Sequence, residues 1–359
     1  MKNIKFALTA VAFLAMTTSY TSSYATTNNT EAEKKDNPPL DEKTRAFYDK
    51  CNNLNDNEAC FKLGDAYDDC EGVKKDFQQA NKYYLKACDM NNSKGCNNLG
   101  FSYEKGHGVR QDFQQANKYY LKACDMNNGH GCTNLGFSYD EGHGVKQDFQ
   151  KANKYYQKAC DMNNGQGCTN LGISYDEGHG VKQDFQQANK YYLKACELNN
   201  GQGCHNLGFS YDKGRGVRQD FQQANKYYLK ACDMNNSKGC NNLGFSYEKG
   251  HGVRQDFQQA NKYYLKACDM NNGLGCTNLG VLYDQGHGVR QDFQQAMYYY
   301  RKGCDLKDAI GCYNIGVNYD DGRGVKRNKS TAKWYFDKAC ELGDLDGCDG
   351  YRKLNEQGY

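Results

Sequence analysis

An all-α, right-handed solenoid of disulfide-stapled helical hairpins with a 36-residue period is what the sequence predicts, on three observations. Eight pairs of cysteines, eight residues apart within each pair, recur every 36 residues from Cys88/Cys96 to Cys340/Cys348. Self-similarity at such a period marks an array whose units bury their apolar faces only against neighbours. The only two prolines are Pro38 and Pro39, so everything after them is free of helix breakers. Within each period, apolar residues fall at helical spacing on two stretches separated by glycines.

The N-terminus carries Lys2 and Lys5, an apolar run from Phe6 to Met16, and small residues ending at Ala25. This predicts a cleaved secretory signal over 1–25, and the run is too short to remain as a membrane span. Residues 26–40 are polar and read as a disordered linker. Export agrees with the cysteines, because disulfides persist in oxidising compartments, so a periplasmic or secreted protein is expected. The formal net charge of +3 falls to about +1 when Lys2 and Lys5 are removed, with acids and bases interspersed. That balance gives no basic face for nucleic acid or an anionic membrane.

One unit, residues 93–128, shows how the elements follow. Cys96, Leu99, Gly100 and Tyr103 lie at i, i+3, i+4 and i+7, which predicts a first helix over about 94–105. Gly106 suits a left-handed cap, and Gly108 lets the chain reverse. Asp112 and Gln115 have capping-box spacing, and Phe113, Ala116, Tyr120 and Ala123 form the buried stripe of a second helix. Cys124 closes that helix and Cys132 opens the next unit, so the natural bridge staples consecutive units. The same reading gives Cys51–Cys60, Cys88–Cys96, Cys124–Cys132, Cys160–Cys168, Cys196–Cys204, Cys232–Cys240, Cys268–Cys276, Cys304–Cys312 and Cys340–Cys348. Cys70 is left as a free thiol at a position where the next unit has Gly106. The solenoid thus spans 41–359, as a half-unit 41–56, eight hairpins 57–344 and a closing half-unit 345–359.

The pattern from Leu99 through Gly100, Tyr103, Gly106, Gly108, Val109, Asp112, Ala116, Tyr119 and Tyr120 to Cys124 resembles the Sel-one-like repeat, a relative of the tetratricopeptide repeat. With a cysteine pair in each unit and an export signal, the chain is most similar to the Helicobacter cysteine-rich protein family. That resemblance implies a secreted adaptor that binds proteins, and, for some members, binding or slow hydrolysis of β-lactams.

Serine acyl enzymes of the latter kind use S-x-x-K together with S-D-N and K-T-G. Ser102/Lys105, Ser210/Lys213, Ser246/Lys249 and Ser330/Lys333 have the first spacing, but neither other element occurs. These pairs read as solvated surface residues. His107, His143, His179, His251 and His287 share a loop position with Arg215 and Arg323, an interchange that no metal ligand tolerates. His130 and His205 read as isolated surface residues on first helices. No metal or cofactor is expected.

First helices line the concave side of such arrays. There one polar position is constant: Asn98, Asn134, Asn170, Asn206, Asn242, Asn278 and Asn314. The donors and acceptor of an amide suit an extended peptide backbone, or else the backbone of a neighbouring unit. Residues 76–129 are identical to 220–273, so sameness there reflects duplication, yet Asn314 persists where Tyr313, Ile315 and Val317 have all changed. Leu274, Ile310 and Tyr313 are the apolar members of the variable positions beside this ladder and are expected to anchor a partner toward the C-terminal end. The function expected is capture of a host or envelope protein or peptide in the groove. The alternatives are β-lactam binding or weak hydrolysis, and envelope assembly through peptidoglycan peptides.

Overall fold

The computed structural model describes residues 40–359; the expected signal peptide and nearly all of the linker lie outside them. Every element is helical, in 18 helices of 12 or 13 residues. After α1 (Glu42–Asn53) come the first helices α2 (Asn57–Asp69), α4 (Ser93–Lys105), α6 (Gly129–Glu141), α8 (Gly165–Glu177), α10 (Gly201–Lys213), α12 (Ser237–Lys249), α14 (Gly273–Gln285) and α16 (Ala309–Asp321). They alternate with the second helices α3 (Phe77–Asp89), α5 (Phe113–Asp125), α7 (Phe149–Asp161), α9 (Phe185–Glu197), α11 (Phe221–Asp233), α13 (Phe257–Asp269), α15 (Phe293–Asp305) and α17 (Lys329–Glu341), and α18 (Leu345–Glu356) closes the array. Each helix packs on the ones before and after it, and successive first helices touch more closely than successive second helices. The array therefore curves toward the first-helix side, which is the concave face.

Local chemistry sets the boundaries. Asp112 accepts from the N–H groups of Gln114 and Gln115 at 2.9 and 3.0 Å. Its own N–H is held by the Tyr103 carbonyl at 2.9 Å, so the return arm of a capping box from Gln115 is not needed. At the other end of the first helix, Gly106 has φ 75°, and Cys70 occupies the same left-handed site at φ 64°. The paired asparagines of the connector divide the turn between them. Asn127 takes φ 59°, and Asn128 caps the next helix by accepting from the Gly131 N–H at 3.0 Å.

Inside a unit, Tyr120 is fully buried with its ring over Gly100, where an added Cβ would stand 2.7 Å from the ring carbons. Tyr119 stacks on Tyr103 with centroids 5.6 Å apart. The joint between units is equally tight: Gly131 lies against the Ala123 methyl, and Cys124 and Cys132 are buried beside it. All nine expected bridges are formed, and Cys70 is a free, exposed thiol. They place the folded chain in an oxidising, extracytoplasmic compartment. No helix among the described residues is long and apolar enough to cross a membrane.

Phe113 departs from its expected place in the core. It is half-buried at the start of α5, its ring stacked 4.9 Å from His143 of the next unit. The turn position occupied by histidine or arginine is thus a stacking site: Arg215 lies 4.6 Å over Phe185 in the same way. Either planar side chain can fill it.

Each short loop closed by a bridge contributes roughly 2–3 kcal/mol on the chain-entropy model. Circular dichroism melts with and without a thiol-free phosphine reductant should show a large loss of thermal stability on reduction. Because the sulfurs from Cys51 to Cys312 are buried, reduction of those pairs should be slow until denaturant opens the joints.

Candidate binding groove

On each first helix, four positions face the concave side in register from unit to unit. In α4 these are Asn98, Phe101, Glu104 and Lys105, and in α6 they are Asn134, Phe137, Asp140 and Glu141. The deepest is the carboxylate, repeated as Asp68, Glu104, Asp140, Asp176, Asp212, Glu248, Asp284 and Asp320. In most units it is reached from within the core by the hydroxyl of the buried tyrosine, whereas the Tyr228 hydroxyl has no partner among the described residues. Tyr120 donates to Glu104 at 2.8 Å, Tyr156 to Asp140 at 3.2 Å and Tyr264 to Glu248 at 2.7 Å. In the first unit Tyr84 donates to Asp65 at 2.9 Å.

Burial dominates the electrostatics of this row. It pushes the carboxyls of Asp140 and Asp176 above the usual range, and burial beside Asp69 and Asp68 raises Asp65 to about 6. The tyrosine hydroxyls beneath are pushed up for the same reason, reinforced by the carboxylates they face. Above the carboxylates lies an aromatic row that the sequence reading left unremarked. Phe101, Phe137 and Phe245 are 42–43% exposed, and Phe209 is half-buried at the same register position.

The asparagine ladder is half-buried throughout. Its members bond mainly to side chains of their own or the preceding first helix. Asn98 donates to Asp65 at 3.2 Å, Asn134 to Asn97 at 3.0 Å and Asn278 to Asn241 at 3.0 Å. Asn170 accepts from Gln166 at 2.8 Å and Asn206 from Gln202 at 2.6 Å. Asn242 meets the His205 ring at 3.3 Å, and Asn314 makes no such bond among the described residues. His205 is therefore not an isolated surface residue: it is half-buried and bridges Asn206 and Asn242, and burial lowers its pKa.

Bonding to a neighbouring unit's backbone falls to a different asparagine. Asn81, Asn117, Asn153, Asn189 and Asn225, on the second helices, are buried, and each donates at 2.6–2.7 Å to the carbonyl of the stacking residue in the next turn. Met297 stands in this place in α15, where Asn318 turns its amide to the Met297 sulfur at 3.3 Å.

Three of the S-x-x-K pairs do not form solvated couples. Ser102, Ser210 and Ser246 are buried at 4–6% exposure, because their position turns toward the helix pair rather than the groove. Their lysines instead pair with the adjacent carboxylates: Lys105 with Glu104, Lys213 with Asp212 and Lys249 with Glu248, at 2.5–2.9 Å. Ser330 is exposed on α17, and Lys333 donates to Asn355 at 2.7 Å.

Leu274 and Ile310 are exposed, 40% and 47%, and Tyr313 is half-buried. They are not gathered into one pocket. Leu274 lines a cavity of about 370 Å³ with His205 and Asn242, whereas Tyr313 lines another of about 310 Å³ with Asp320, Asp346 and Phe336. No cluster of three His, Cys, Asp or Glu side chains suited to a metal ion occurs among the described residues.

This stack of hairpins is the architecture of a helical-repeat scaffold. The Sel1 repeat model matches residues 57–92, 93–128, 129–164, 165–200, 201–236, 237–272, 273–308 and 309–344, and the chain belongs to the Sel1 repeat family. Among solved structures it is similar to a protective antigen of uropathogenic Escherichia coli with an SLR fold. That likeness has 28% identity and a TM-score of 0.69, over 88% of this chain and 67% of the antigen. It is also similar to a Sel1 repeat protein of Oxalobacter formigenes, with 30% identity and a TM-score of 0.63 over 70% of this chain and 99% of that one. Helicobacter pylori cysteine-rich protein B is 39% identical over 38% of this chain and 97% of its own, with a TM-score of 0.31. Comparison with curated protein sequences gives no match.

Two measurements separate the structural from the groove-facing polar groups. Asn117→Ala strands a buried carbonyl and should cost about 1–3 kcal/mol in a denaturant titration, whereas Asn134→Ala should cost a small fraction of that. The raised Asp65 carboxyl binds more protons folded than unfolded, so its contribution to stability falls as pH rises from about 4 to about 6. Asp65→Asn should therefore raise the melting temperature at pH 7.5, and the gain should vanish near pH 4.

Proposed function

We propose that the chain is an exported repeat scaffold, periplasmic or secreted, that binds a protein or extended peptide along its concave groove. The observation that carries this reading is a register position, filled by Phe101, Phe137, Phe209 and Phe245 in four of the eight units, that stands on an uncovered face with an amide above and a carboxylate below. Aromatic anchors beside regularly spaced polar groups supply what an extended chain requires: apolar pockets for alternate side chains and hydrogen bonds for its backbone. The membership of the Sel1 family supports it, since such arrays offer long concave surfaces for protein partners. The burial of Ser102, Ser210 and Ser246, with their lysines engaged by carboxylates, weighs against an acyl-enzyme role, so a chromogenic cephalosporin should be neither bound nor turned over.

A displayed library of linear peptides selected on the oxidised chain, followed by calorimetry of the winners, tests the reading. Replacing Phe101, Phe137 and Phe245 together by Ala should weaken the selected peptides by about tenfold or more. The melting temperature should change little, since substitutions at exposed positions typically cost within about 0.5 kcal/mol each. Peptides that bind equally well to this variant would place the binding surface elsewhere.

A further inference from the structure

The units differ most sharply at the residue that follows the groove carboxylate: Asp69, Lys105, Glu141, Glu177, Lys213, Lys249, Gln285 and Asp321. Where it is lysine, the ammonium takes up one repeated arrangement. Lys105 lies 5.5 Å over the Phe101 ring and against Glu104, Lys213 lies 5.7 Å over Phe209 and against Asp212, and Lys249 lies 5.7 Å over Phe245 and against Glu248. Ring and carboxylate thus form a seat for an ammonium group, and three units fill it from their own chain.

In the third unit the seat is present and the cation is not. Phe137 is 42% exposed and Asp140 lies three residues on, but Glu141 stands where the lysine would be. Neither Asp140 nor Glu141 has an ion-pair partner within 4 Å among the described residues; the Asp140 carboxylate accepts from the Tyr156 hydroxyl, and it faces the imidazole of His179, which stands at the turn position that Arg215 and Arg323 hold beside Asp176 and Asp284. The remaining units lack one part or the other. In the fourth, Ile173 replaces the ring and Arg215 pairs with Asp176 at 3.0 Å. In the seventh and eighth, Val281 and Val317 replace it, and Arg323 and Arg327 lie 3.8 and 3.9 Å from Asp284 and Asp320. The seat opens on a cavity of about 390 Å³ floored by Phe137, Tyr156 and Ile173 and rimmed by Asp140, Glu141, Glu177 and His179, whose Nδ1 lies 3.3 Å from Glu177.

We propose that this cavity between the third and fourth units is a subsite for the lysine side chain of a bound peptide. It rests on the groove reading above and deepens it. The apolar floor takes the methylene stem, the Phe137 face and the Asp140 carboxylate take the ammonium as in the three sister units, and Glu141 supplies the charge that draws it in. A norleucine side chain would gain only the floor, and the planar fork of arginine is a poorer copy of the ammonium that the sister units seat.

The test uses the full oxidised chain with 13C-labelled phenylalanine, titrated with Nα-acetyl-lysine N-methylamide and followed by NMR. Phe137 is assigned by Phe137→Leu. The probe should shift Phe137 and leave Phe101 and Phe245 unmoved, and its norleucine analogue should shift none of them. Glu141→Lys, which installs the residue of the sister units and so preserves the fold, should weaken the probe by about tenfold or more. Lys105→Glu should open a second seat at Phe101. Phe137 unmoved by the probe while library-selected peptides still bind would overturn the subsite and leave the groove reading intact. A probe that binds at Phe137 but is not displaced by the selected peptides would overturn the peptide as occupant, as would spermidine displacing it where lysine peptides do not.

Discussion

The contact on which the rest of the molecule depends is a tyrosine ring lying on a glycine. It recurs as Tyr84 on Gly64, Tyr120 on Gly100, Tyr156 on Gly136 and onward to Tyr300 on Gly280, and any Cβ there would overlap the ring. The missing side chain brings the two helices of a hairpin close enough for a flat ring to fill the gap, and interiors tolerate no looser fit without loss of contact energy. The same ring is long enough to carry its hydroxyl out of the core to the groove carboxylate. Packing and groove electrostatics are therefore set by one side chain. In the last unit Phe336 stands on Gly316 without a hydroxyl, and Asp320 is met instead by Arg327 at 3.9 Å.

Between units, asparagine carries four separate tasks. Asn127 adopts the left-handed turn, Asn128 caps the following helix, Asn117 ties its helix to the next turn's backbone, and Asn134 faces the groove. The first three use the short amide's ability to satisfy backbone groups at a joint where no helix can. With the bridge from Cys124 to Cys132, they fix the angle at which one unit meets the next. In an array whose units touch only their neighbours, a small error at each joint would accumulate, so the joint must be over-determined.

The period, the cysteine staples, the helix boundaries and the concave position of the first helices were all legible in the sequence, because each leaves a spacing. The solvent-facing side was harder to assign. Phe101 reads as core by residue type and Ser102 as surface, yet the helix turns the first to the groove and the second inward, to a place that Leu282 and Asn318 fill, equally buried, in the seventh and eighth units. Constancy did not separate Asn98 from Asn117, since both recur in nearly every unit for different reasons. The signal that could have found the groove was in the 36-residue register itself: an acidic residue at every position equivalent to Glu104, preceded three residues earlier, in every unit after the first, by an aromatic or branched side chain.

That register also shows how near-identical units can present different chemistry. The duplicated segments 76–129 and 220–273 carry Lys105 and Lys249, each turned back on its own unit's ring and carboxylate. Such a unit neutralises its own groove. Units three and four escape the duplication and carry Glu141 and Glu177, and only the third keeps the aromatic face without a lysine or arginine of its own against the carboxylate. A single change of sign, at a surface position that costs the fold almost nothing, converts a self-satisfied unit into one that needs a cation from outside. Placed at one step of an otherwise regular ladder, it fixes the register of an extended partner, since sliding by one unit would set a lysine against Lys105 or Arg215 rather than against Asp140.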